Sequence, residues 1–74
     1  MNAQRSANVA AIANVLKVIR EGERAIRTAE KRVKETRSED KWHARMHLAE
    51  VEKRVARRVT AVQAIAQKVL AKPV

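Results

Sequence analysis

The sequence contains no cysteine, no phenylalanine and no tyrosine, and only one glycine, one proline and one tryptophan among 74 residues. Without cysteine there are no disulfides and no thiolate metal sites. A single glycine and a single proline supply almost none of the tight-turn residues that sheets need, and the abundance of Ala, Arg, Lys, Glu and Val points to helices. A chain of this length buries a small share of its surface unless a disulfide, a metal or another subunit adds to the core. With the first excluded, oligomerisation is the expected route.

Acid is also scarce. Seventeen Lys and Arg stand against eight Asp and Glu, a formal charge of +9. On so small a body that charge draws in phosphates or acidic protein surfaces. It is unevenly placed: residues 17–58 hold every acid, and only Arg5, Lys68 and Lys72 lie among the basic residues outside that range. A hairpin built from this chain has a charged end and an apolar end.

Long hydrophobic runs are missing too. The stretch from Ala7 to Ile19 is apolar but is interrupted by Asn8, Asn14 and Lys17, short of the roughly 20 residues that span a bilayer. Membrane association is therefore not expected, and a cytoplasmic protein is.

Apolar residues recur at Ile12, Ile19, Ile26 and Val33, with Val15, Leu16 and Ala29 between them, the 3-4 spacing of a helix with one buried stripe. Leu48, Val55, Val62 and Val69 repeat the pattern, interleaved by Val51, Val59, Ile65 and Ala66. Between Val33 and Trp42 lie eight polar residues, KETRSEDK, and the seven-residue phase does not carry across them. Ser38, followed by Glu39 and Asp40, reads as a helix N-cap with two acids in the first turn.

The sequence thus predicts an all-α fold: an antiparallel two-helix hairpin, helices at about 6–36 and 39–71, forming a single domain over 1–74. One unbroken helix is the alternative, because no Gly or Pro marks the turn. A reversal near residue 37 pairs positions summing to about 74: Ile26 with Leu48, Ile19 with Val55, Val15 with Val59, and Ile12 with Val62. Gly22 inside the first helix costs about 1 kcal/mol relative to Ala. Close backbone approach or simple tolerance accounts for it better than a kink, since the phase from Ile19 to Ile26 continues across it. The apolar surface near the termini is wider than one neighbouring helix covers. A homodimeric four-helix bundle, or a higher oligomer, is expected through Val9, Ile12, Leu16, Ile19, Val62, Ile65 and Val69.

Two surface features bear on function. Lys17, Arg20, Arg24, Arg27, Lys31 and Lys34 follow one another at spacings of 3, 4, 3, 4 and 3 with no acid in the series, a basic ribbon of about 25 Å. Arg54, Arg57 and Arg58, beside Lys53, add to it on the second helix. Such a ribbon suits contact with phosphates of DNA or structured RNA without base readout; its plainer role is a solvated face. Trp42 and Met46 stand one turn apart, with Ala49 and Lys53 continuing the same face. They offer a docking strip for a larger, acidic partner protein, unless Trp42 caps the hairpin over Val33 and Ala29.

His43 and His47 share the i, i+4 geometry of a two-histidine metal site, with Glu50 the nearest third ligand, but Ala44 stands where a zinc-protease glutamate belongs. No metal, cofactor or catalytic residue is expected, and the chain reads as a non-enzyme. The expected function is a small basic regulatory or accessory protein that binds nucleic acid as a homodimer. The alternative is a protein-interaction module, a small inhibitor or adaptor, using the Trp42 strip.

Overall fold

The structure is a computed structural model and describes residues 3–72. Two long helices, α1 (Ala3–Glu35) and α2 (Lys41–Leu70), are joined by a short 3-10 turn (Ser38–Asp40). They lie side by side in a slab whose Cα atoms extend 58 × 17 × 8 Å. The hairpin predicted from the sequence is present, with ends close to those expected, and the unbroken helix is not.

The break has a local cause. The Thr36 N–H donates to the Arg32 carbonyl at 3.0 Å, and the Thr36 hydroxyl donates to that same oxygen. Thr28 makes the same bond to the Arg24 carbonyl inside α1, so the bond closes the last turn without itself ending the helix. Arg37 then adopts extended backbone, φ −62° and ψ 151°. The chain re-enters a helical path when the Asp40 N–H reaches the Arg37 carbonyl at 2.9 Å.

Ser38 is therefore not the N-cap. It is the first residue of the 3-10 turn; Arg37 holds the extended cap position, and neither Arg37 nor Asp40 makes a side-chain cap bond. Glu39 and Asp40 belong to the 3-10 turn, so the first turn of α2 holds no acid; Arg32 and Lys34 occupy the last turn of α1, where cations favour the negative end of the dipole.

The seam between the helices follows a period that the heptad reading misses. In α1 the less exposed positions are Gln4, Asn8, Ala11, Val15, Val18, Ile19, Gly22, Ile26, Ala29 and Val33; in α2 they are Lys41, Ala44, Leu48, Val51, Val55, Val59, Val62, Ala66 and Val69. Ala11, Gly22 and Val33 are eleven residues apart, as are Ala44, Val55 and Ala66. Eleven residues over three turns give about 3.67 residues per turn, so on a straight helix this stripe drifts by about 2° per residue, against about 3° per residue in the opposite sense for a seven-residue stripe. The stripe Ile12, Ile19, Ile26 and Val33 accordingly starts in the seam at the turn end. It slides onto the flank toward the N-terminus, where Ile12 is half exposed.

The buried hydrophobic side chains are small: Val18, Ala29, Ala44 and Ala66. Gly22 is buried as well. A Cβ placed on Gly22 would come within 2.5 Å of Val55 Cγ1, so close approach, not tolerance, explains this glycine. The contact also corrects the register. Val55 faces Gly22 instead of Ile19, one turn along α1 from the expected partner, because the link at residues 36–40 places the reversal slightly later than residue 37. At the open end, Gln4 Nε2 donates to the Val69 carbonyl at 2.7 Å and to Asn8 Oδ1 at 2.8 Å, tying the start of α1 to the end of α2.

One layer of two helices cannot enclose a core. The accessible surface is 6187 Å², against about 4,600 Å² for a compact monomer of 8.4 kDa. The radius of gyration, 17.1 Å, likewise exceeds the roughly 11 Å of a compact domain of this length.

The Gly22–Val55 contact predicts opposite signs for one substitution in two backgrounds. Gly22→Ala adds about 1 kcal/mol of helix propensity, but the stiff, β-branched Val55 cannot swing aside, and overpacking costs about 1–3 kcal/mol. Thermal melts at fixed protein concentration should show Gly22→Ala lowering stability in the natural chain and raising it in a Val55→Ala background. Stabilisation in both would mean the helices do not approach here.

Candidate nucleic-acid and partner surfaces

Helical phase places each candidate residue relative to the seam. Lys17, Arg20, Arg24, Arg27, Lys31 and Lys34 are all exposed and lie on the side of α1 turned away from α2, roughly 180° from the seam at 100° per residue. Of these six, Lys31 is engaged, 3.8 Å from Glu35 in a pair open to solvent on both sides. Exposed i, i+4 pairs hold their partners weakly, so the ribbon stays available.

The basic residues of α2 do not form one set with it. Arg57, with Lys53, faces outward from α2, the edge opposite the α1 ribbon, and one straight backbone segment cannot meet both. Arg54 and Arg58 instead lie on one broad face of the slab, toward α1. Arg58 Nη1 stands 3.2 Å from Glu21 Oε2 and links the helices across the seam.

That face holds an arrangement sequence reasoning missed. Arg24, Thr28 and Arg32 of α1 and His47 and Arg54 of α2 line an open groove of about 460 Å³, with Glu21, Ala25, Ala29 and Val51. Arg32 lies outside the basic series, and the spacing of His47 from His43 points to a metal ligand alone. Their proximity depends on the interhelical register, in which residues summing to about 78 share a level. The signal existed only for a reader who had the turn placed correctly.

The residues proposed for subunit contact are divided. Val9, Ile12 and Leu16 are exposed and share one flank of α1; by phase Leu70, also exposed, lies on the same side of the slab near the end of α2. Ile65 is exposed on the other side. Ile19, Val62 and Val69 are half-buried in or beside the hairpin's own seam. A single surface made of all seven does not exist, because the drifting heptad stripe crosses from flank to seam.

Trp42 and Met46 face outward from α2 beside the turn, and Trp42 is 64% exposed. It does not cap Val33 and Ala29: the 3-10 turn sets the phase of α2 so that Ala44 and Leu48 enter the seam, which leaves Trp42 on the far side. Its ring meets the His43 ring edge to face, centroids 5.0 Å apart at 76°. His43 and His47 are exposed, and no cluster of three or more metal-ligating side chains occurs among the described residues. Among those residues, no helix is long and apolar enough to cross a membrane.

No protein-family model matches the sequence, and no curated protein or solved structure is significantly similar to it.

Because Trp42 is largely exposed, Trp42→Ala should leave helicity unchanged and shift stability by no more than about 0.5 kcal/mol, read from circular dichroism and thermal melts. A loss of several times that amount would place the indole in a core.

Proposed function

We propose that this chain is a small, non-enzymatic regulatory or accessory protein that binds DNA or structured RNA through phosphate contacts and works as a homodimeric four-helix bundle. The observation that carries the proposal is the placement of six exposed cations along about 25 Å of α1, opposite the seam and therefore free of the hairpin's own packing. Phosphate contacts of this kind fix position and supply affinity without reading bases.

The dimer is supported by surface area. The chain exposes about 1,600 Å² more than a compact monomer of its mass, about twice what each partner buries in a standard protein interface. Val9, Ile12, Leu16 and Leu70 give one side of the slab an apolar patch near the termini. Two slabs packed there form the two-layer arrangement a stable domain requires.

A second function is favoured by a different observation. Trp42 and Met46 are exposed without a structural task, the residue types and setting of a protein-docking strip. On this alternative the chain is a small inhibitor or adaptor for a larger acidic protein.

Affinity for a labelled duplex, titrated over salt, tests the first reading. Each phosphate neutralised on B-DNA contributes about −0.9 to the slope of log K against log salt, so converting Arg20, Arg24 and Arg27 together to Gln should flatten it by up to about 2.7. An unchanged slope removes the ribbon from the interface. The sole tryptophan separates the alternative: emission that shifts on adding an acidic protein, but not on adding duplex, places the contact at Trp42. For the dimer, sedimentation equilibrium should return twice the chain mass, and Ile12→Glu with Leu16→Glu should return the monomer. A natural chain that sediments as a monomer would sink the bundle.

A further inference from the structure

The groove between the helices has the character of a phosphate site. We propose that the protein grips the sugar–phosphate backbone of a duplex in this groove, through Arg24, Arg32 and Arg54, and not along the outer edge of α1 alone. The inference rests on the nucleic-acid reading above and names its site.

Charge and surroundings support it together. The floor is apolar, formed by Ala25, Ala29 and Val51, and Ala29 is buried. A cleft lined by one sign of charge over low-dielectric walls concentrates its field, which a convex helix edge does not. Glu21 is the one carboxylate among the groove's lining residues, and Arg58 holds it at 3.2 Å. Among the described residues, Arg24, Arg32 and Arg54 have no ion-pair partner. The groove thus presents three guanidinium groups without an ion-pair partner beside one carboxylate, which Arg58 meets in a pair open to solvent.

The chemistry of those cations differs from that of the edge. All three are arginines, whose planar fork meets phosphate oxygens with two parallel hydrogen bonds; half of the edge cations are lysines. They also come from two helices whose relative position is fixed by the seam. Arg24 and Arg32 stand eight residues apart on α1, about 12 Å, a span that covers several duplex phosphates. The Thr28 hydroxyl already donates to the Arg24 carbonyl at 3.0 Å and has no proton left for phosphate. His47, when neutral, supplies one ring N–H. Toward the turn the surface continues past Arg32, His47 and His43, where Asp40 adds a second carboxylate and limits the site. Arg24 belongs to both the groove and the edge ribbon, so a backbone strand can pass from one onto the other.

The test compares five chains binding duplex DNA and duplex RNA of equal length, by fluorescence anisotropy across salt: the natural protein, R32Q/R54Q, K31Q/K34Q, R20Q/R24Q/R27Q and E21Q. R32Q/R54Q should weaken binding at least tenfold at about 0.1 M salt and flatten the slope by about 1.8, from two lost phosphate contacts. K31Q/K34Q should change it less. E21Q removes the groove's carboxylate and releases Arg58, and should tighten binding severalfold with a slope steeper by about 0.9, a gain that a damaged fold cannot imitate. The duplex bound more tightly by the natural protein identifies the source of the phosphates. If R32Q/R54Q and E21Q both bind like the natural protein while R20Q/R24Q/R27Q still weakens binding, the groove is wrong and the ribbon stands. If the natural protein binds neither duplex, the nucleic-acid reading falls and the groove with it.

Discussion

Val55 sits in the notch that Gly22 leaves in α1, and the placement of nearly every other side chain follows from that contact. A glycine in a helix interior has a cost in helix propensity. Here it is offset by letting two backbones approach until a valine methyl occupies the place of a Cβ. Once that layer is set, the eleven-residue spacing carries the register outward to Val33 and Ala44 at one end and to Ala11 and Ala66 at the other. Small side chains along the seam keep the helices close over its whole length. They also bury little apolar area, about 25 cal/mol for each Å², so the hairpin alone is a modest source of stability.

The same register decides where the charge goes. With the seam narrow, the flanks of the two helices meet across a shallow trough, and polar side chains distant in sequence become neighbours: Arg24 with Arg54 and Arg32 with His47, and Glu21 with Arg58. A slab one layer thick has two broad faces and two edges, and this sequence gives them different characters. One face has a basic groove toward the turn; the other has apolar residues toward the termini. The proposed assembly and the proposed phosphate binding thereby fall on separate surfaces and do not compete for the same side chains.

Much of the hairpin was legible because its signals are local. The run KETRSEDK between two periodic stretches marks the reversal, and the apolar spacing on either side marks two helices of matching length. What misled was the assumption of a seven-residue repeat. Isoleucines and leucines attract attention as core residues, yet Ile12, Leu16 and Ile65 lie outside the hairpin seam, while Ala11, Ala44 and Ala66 lie in it. An alanine carries no mark of which side it belongs to in a chain rich in alanine. Trp42 illustrates the same limit, since its exposure depends on a rotation of phase introduced by three residues of 3-10 turn. The basic ribbon was legible in full because it lies on one helix. The groove was not, because its members come from two, and a shift of one turn between the helices would disperse them.

The eleven-residue spacing also sets how this molecule can differ in length. Both arms carry the same repeat and are fixed to each other at a turn, so a block inserted in one arm alone throws every later layer of the seam out of phase. A block of eleven residues placed at matching levels in both arms leaves it intact and moves the tip by about 16 Å. Reach is therefore available to this fold in steps, with paired duplications as the coherent way to take one.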